Sequence, residues 1–147
     1  MGSSSVGTLD HTVQETNNWL KAIAEQLHVD DRQHAYNALR AVLHALRDRL
    51  PPETAVNFGA QLPMLVRGLY YEGWHMAGKP TKDRSAQEFA DHVLDELPPQ
   101  FPMDPLTVTR GVFEILWEKL DPGEFAKFMH HLPESLRSLK PHMTQLG

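Results

Sequence analysis

The sequence predicts an all-α protein: a compact bundle of about eight helices, built from two quasi-symmetric four-helix repeats that share one core. Three observations lead there. Shifting the chain by seventy places lays it on itself without a gap. Leu27 falls on Leu97, Arg40 on Arg110, Val42 on Val112, Leu46 on Leu116 and Leu50 on Leu120. Further along, Phe58 falls on Phe128, Leu62 on Leu132, Arg67 on Arg137 and Leu69 on Leu139. Next, apolar residues recur in steps of three and four, the period of a helix face, and no stretch alternates with the period of two that marks a strand. Finally, prolines punctuate both halves at matching points, Pro52 with Pro122 and Pro63 with Pro133.

Taken in order, the first helix is expected from about His11 to His28. Val13, Leu20, Ile23, Ala24 and Leu27 form its stripe, and Thr12 with Glu15 has capping-box spacing. Asp30 and Asp31 mark a turn and the start of a second helix reaching Leu50, with Tyr36, Leu39, Leu43, Leu46 and Leu50 in one seam. Pro51 and Pro52 end it and open a third helix bearing Ala55, Phe58, Gly59 and Leu62. Pro63 opens a fourth through Leu65, Val66, Leu69 and Tyr70, which stops near Gly73. Residues 74–84 contain Gly78 and Pro80, show no periodicity, and read as a linker.

The second unit replays the order. Ser85 and Glu88 repeat the capping-box spacing ahead of Phe89, Val93 and Leu97. A proline-rich loop from Pro98 to Pro102 follows, and Asp104 with Pro105 starts the next helix. Leu106, Thr109, Phe113, Leu116 and Leu120 repeat the seam. Asp121, Pro122 and Glu124 start a seventh helix bearing Phe125, Phe128 and Leu132, and Pro133 starts an eighth with Leu136 and Leu139. The expected organisation is a lead-in over 1–9, repeats over 10–73 and 85–141, and a flexible tail over 142–147, the repeats together forming one domain. Side-chain exchange supports a shared core. Ala55 and Gly59 correspond to Phe125 and Met129, while Trp19 and Tyr36 correspond to Phe89 and Leu106. Interiors keep near-constant density, so a large residue in one layer calls for a smaller one opposite. Two separate units of this length would also be marginally stable.

Composition excludes several classes. The 147 residues carry 19 acidic and 14 basic side chains, a net charge of −5 that repels nucleic acid unless the basic groups cluster. Arg40, Arg47 and Arg49, the densest basic run, read as a solvated helix face interrupted by Asp48. No apolar stretch is long enough to cross a bilayer, so no membrane partner is expected. The segment from Met1 to Thr8 lacks the basic start and apolar stretch of a secretory signal. With no cysteine there is no disulfide or thiol chemistry, which is compatible with a cytoplasmic location.

Two runs carry a family resemblance. From Ala38 to Pro51 the chain reads ALRAVLHALRDRLP, and from Ala60 to Trp74 it reads AQLPMLVRGLYYEGW. These resemble a bacterial all-helical family known as domain of unknown function 2267, over about residues 9–141. The resemblance implies an all-α fold with duplicated halves and a soluble bacterial protein. It implies no catalytic residues. The second half keeps Leu132, Pro133 and Arg137 but has Ser138, Lys140 and Pro141 where glycine and tyrosines stand in the first.

Candidate chemistry is sparse. Tyr70, Tyr71 and Trp74 form an aromatic stretch without a counterpart in the second half. They either pin the linker to the second unit or face a partner, since such side chains join an apolar body to a polar handle. Arg40, Arg110, Arg67 and Arg137 are the polar positions retained by the duplication. A guanidinium there bonds helix-end carbonyls or a carboxylate, or else Arg40, Arg110 and Arg137 form anion sites for a phosphorylated small molecule. No two of the nine histidines stand three or four apart, and Glu88 with His92 is one residue too long for a Glu-x-x-His motif, so no metal or other cofactor is expected. No nucleophile elbow or phosphate-binding glycine loop is present. The expected function is non-enzymatic: interaction with a protein partner, or self-association, through Tyr70, Tyr71 and Trp74 with Arg67 beside them. The alternative is a ligand-binding or catalytic pocket between the repeats.

Overall fold

A computed structural model describes residues 6–132 and 134–137. Among these the chain is all helical, with no strand. Eight helices follow in order: α1 (Gly7–Leu27), α2 (Arg32–Arg49), α3 (Pro52–Gly59), α4 (Met64–Tyr71), α5 (Ala86–Glu96), α6 (Pro105–Lys119), α7 (Pro122–Met129) and α8 (Glu134–Arg137). Pro133, Ser138, Leu139, Lys140, Pro141 and the expected tail lie outside the described residues.

Four of the eight helix starts follow the side chains that cap them. Asp31 accepts from the Gln33 amide at 2.8 Å, Ser85 from Glu88 at 3.1 Å, Asp104 from Thr107 at 3.0 Å and Asp121 from Glu124 at 3.0 Å. Each satisfies an amide that the first turn leaves without a partner. The first helix departs from expectation. It begins at Gly7, four residues ahead of His11, and Thr12 lies buried inside it instead of capping it. Thr12 serves a different helix: its hydroxyl accepts from the Leu65 amide at 3.2 Å. Leu65 stands in the first turn of α4, whose N-cap is Pro63, a residue with no side-chain acceptor of its own. α1 ends at His28 in the left-handed conformation (φ 57°), with the Val29 amide bonding back to the Ala24 carbonyl at 3.0 Å.

α2 lies at the centre. It packs against α1, α5, α6, α4 and α3, and Ala38–Leu39 and Ala41–Asp48 are all buried. α1 lies on α2 and on α6; α5 lies on α6 and on α2. The core is therefore shared between the chain's two halves. A line of rings runs through it. Tyr70 packs on Phe58 (5.5 Å between centroids), Phe58 on Phe128 (5.2 Å) and Phe125 (6.1 Å), and Phe125 on Phe113 and Trp117. Among the described residues no helix is long and apolar enough to cross a membrane.

The solvated basic face expected on α2 is corrected. Arg47 is only 5% exposed, because α4, α5 and the 74–84 segment close over the end of that helix. The 74–84 segment is irregular and is bonded to α2. The Thr81 amide donates to the Asp48 carbonyl at 2.7 Å, and Arg49 Nε to the Asp83 carbonyl at 2.7 Å.

Candidate functional site

The aromatic stretch divides between interior and flank. Tyr70 is wholly buried on the inner face of α4, and its hydroxyl donates to the Ala55 carbonyl at 2.6 Å. Burial, reinforced by the neighbouring Tyr71, pushes its phenol far above the ordinary range and keeps it a donor. Tyr71 is half-buried. Its ring lies against Tyr70 (5.0 Å) and Trp74 (5.7 Å), and its hydroxyl reaches the Val56 carbonyl at 3.4 Å. Gly59 makes room for both tyrosines: a Cβ there would sit 2.5 Å from the Tyr71 hydroxyl and 2.9 Å from the Tyr70 ring. The chain thus uses the tyrosines first to seat α4 on α3. Trp74 is half-buried, and its Nε1 has no hydrogen-bond partner among the described residues.

The four arginines that the seventy-place shift pairs occupy different settings. Arg67 donates to the carbonyls of Gly59 (3.1 Å), Leu62 (2.8 Å) and Ala60 (3.4 Å), closing the C-terminal end of α3. Arg40 lies half-exposed between Glu96 (3.8 Å) and Glu72 (3.9 Å). Arg110 is exposed on α6. Hydrogen bonds from Thr107 hold the Asp104 carboxyl below its usual range, and the charge of Arg110 adds to that effect. Arg137 stands on α8, its Nε buried and unbonded among the described residues.

A polar network at the end of α2 escaped the sequence reading. Arg47 Nη1 donates to the carbonyls of Tyr70 (2.7 Å) and Glu72 (2.6 Å), and its Nε lies 3.3 Å from Asp48. His92 of α5 sits between two carboxylates, Asp48 at 3.5 Å and Asp83 at 3.3 Å. Its pKa is raised, chiefly by the Asp48 hydrogen bond, against the opposing effect of burial. Burial pushes Asp48 up, but the hydrogen bond from His92 and the charges of Arg47 and Lys79 outweigh it and leave the carboxyl below its ordinary value. His44 behaves oppositely: burial lowers its pKa, and its Nε2 lies 2.8 Å from the Leu69 carbonyl. The one sequence signal for this network was indirect. Shifting the chain by seventy places lays Arg47 on Trp117, so a guanidinium stands where the second half has an apolar ring.

Two open recesses bear on function. One, of about 350 Å³, lies between α3 and α7 and is lined by Thr54, Asn57, Gln61, Glu124, Lys127 and His131 over Phe128. The other, of about 380 Å³, is an apolar groove between α1 and α4 with α2 as its floor. Leu20, Tyr36, Leu39, Leu65 and Leu69 line it. Exposed apolar side chains collect on the helices that form it. Val6, Leu9 and Val13 at the start of α1, Met64 and Leu65 on α4, and Tyr36 on α2 are six of the nine large apolar side chains that stand exposed among the described residues.

No curated protein matches the sequence. A family model described as an uncharacterized conserved protein, DUF2267, matches residues 16–139, from the middle of α1 past the end of α8. The chain belongs to the DUF2267 family.

Proposed function

We propose that the chain is a non-enzymatic protein-interaction module of the cytosol, and that its binding surface is the apolar groove of α1, α2 and α4. The observation that carries this is that six of the nine exposed large apolar side chains among the described residues stand on, or at the start of, the three helices that form one groove, when solvent-facing apolar residues are ordinarily scattered. The surface belongs to one half. Seventy places on, Leu9, Val13 and Leu65 correspond to Lys79, Asp83 and Ser135. We also read the halves as copies related by an approximate two-fold. α1 meets α6 as α5 meets α2, and Phe58 lies ring to ring with its counterpart Phe128, both of which support that reading. On this view Tyr70, Tyr71 and Arg67 act from behind the surface by fixing where α4 lies.

The test is a photo-crosslinking residue in place of Leu65, with one in place of Leu94 as control, since Leu94 is equally exposed but stands apart from the groove. Adducts from position 65 and none from 94 support an interaction surface there; none from either position defeats it.

A second reading has one observation behind it. The recess between α3 and α7 draws matched positions from both halves: Thr54 and Glu124, Asn57 and Lys127, Gln61 and His131. Six convergent polar groups suit a small polar ligand. A library of such compounds that leaves the melting temperature unmoved counts against it.

A further inference from the structure

Resting on that interaction reading, we infer that the occupant of the groove is a second copy of this chain, bound through an antiparallel pairing of the two α1 helices. The groove and the exposed part of α1 are two apolar features that lie side by side. Leu9, Val13, Thr16 and Leu20 follow steps of four, three and four, so they form one ridge along α1. The lower part of that ridge, Thr16 and Leu20, is also the wall of the groove, while its upper part, Leu9 and Val13, stands exposed. A partner other than a second copy would cover the groove and still need its own apolar ridge. A second copy already carries one. One two-fold operation then covers the groove and the ridge of both chains, as an isologous contact requires.

Charge fixes the direction and the register. Asp10 and Lys21 are both exposed on one flank of the ridge, eleven residues apart, which is about three helical turns. When two α1 helices run antiparallel about a dyad midway between those residues, Asp10 of each chain faces Lys21 of the other, twice over. The same register sets Val13 of one copy between Thr16 and Leu20 of the other and Leu9 just past Leu20, with Thr16 near the crossing point. Thr16 is small, and Gly68 on α4 leaves open space where its Cβ would be, so the second helix can approach both walls closely. In a parallel pairing the two-fold would put the flank bearing Asp10 and Lys21 on opposite sides of the contact in the two copies, so neither pair would form.

Sedimentation velocity of the full chain, from micromolar to millimolar concentration, tests this. The expected result is a concentration-dependent species of twice the chain mass. Leu65→Glu and Val13→Glu should each weaken it at least about tenfold, with helicity and the melting temperature of the dilute, monomeric chain unchanged, because both positions are exposed. Asp10→Lys and Lys21→Asp act at the surface and do not depend on how the core tolerates change. Each alone should weaken self-association about tenfold. Mixing the two variants should restore it, since in a mixed pair position 10 of each chain again faces the opposite charge at position 21 of the other. A chain that stays monomeric throughout overturns the proposal, as does a dimer indifferent to Leu65→Glu or a mixture of charge variants that does not recover. If the chain is monomeric while the crosslinker at position 65 captures a different protein, the second copy is excluded and the interaction reading survives.

Discussion

Arg47 shows what a single residue does when a helix end is buried. Its guanidinium answers two carbonyls at the end of α4 and one carboxylate beside it, so it replaces water that the closed site excludes. Arg47→Met keeps the bulk but strands those carbonyls and Asp48, and should cost about 3 kcal/mol in urea unfolding. A result near zero would mean that the acceptors find other donors. His92 supplies a pH signature. Its folded pKa lies above the ordinary 6.5, so its contribution is full below that value and is lost as pH rises through the folded pKa. Asp48 is held below 3.8, so its contribution is full above that value and is lost as pH falls through the folded pKa. The pair therefore stabilises most between the two ordinary values. His44, with a lowered pKa, works the other way, losing stability as pH falls below 6.5. The melting-temperature gap between the parent chain and His92→Gln should be widest in the mildly acidic range and shrink on the alkaline side. A gap that is flat with pH would refute the ion-pair assignment. These residues were not legible in the sequence because their partners lie on other elements. Asp48 and His92 are 44 positions apart, and helix periodicity reports only which face of its own helix a residue shares.

At the scale of elements the sequence was far more readable. Asp104 with Pro105 and Ser85 with Glu88 cap where their spacing says, because a cap is a contact within one turn. The start of α1 was misplaced for the opposite reason. Thr12 has the chemistry of a cap and spends it on the amide of Leu65, 53 residues away. The two glycines of the α3–α4 hairpin make a matched test. Gly59→Ala gains helix propensity but drives a methyl into the Tyr71 hydroxyl and the Tyr70 ring, and Tyr70 is immobile in the core. The expected outcome is a net loss of about 1–2 kcal/mol. Gly68→Ala meets nothing within 4 Å and should gain up to about 1 kcal/mol in the isolated chain. If thermal melts show both substitutions moving stability in the same direction, the seating of α4 by its tyrosines is wrong.

Across the whole molecule the core is continuous. The ring line from Tyr70 through Phe58 to Phe125 and Phe113 joins helices that are far apart in the chain. The apolar positions that the seventy-place shift superposes made a shared core legible. They did not reveal the surface groove, because Leu9, Val13 and Leu65 have no apolar counterparts to draw attention to them. A continuous core predicts one transition. In each of two variants, one retaining only Trp19 of α1 and one only Trp117 of α6, tryptophan fluorescence and helicity should be lost in a single coincident transition, and Phe58→Ala should lower the stability of both by about 3–5 kcal/mol. Two separated transitions would mean that the halves are independent. The packing of α1 on α6 also bears on how the chain is made. While a ribosome is still reading residues 50 to 104, α1 and α2 have been made without α6, the other helix on which α1 mainly packs. Its apolar side must wait, in contact with whatever is nearby, until α6 emerges. Nascent chains of this design become folded late and all at once, and a stalled chain ending before Pro105 would be a substrate for chaperones or proteases.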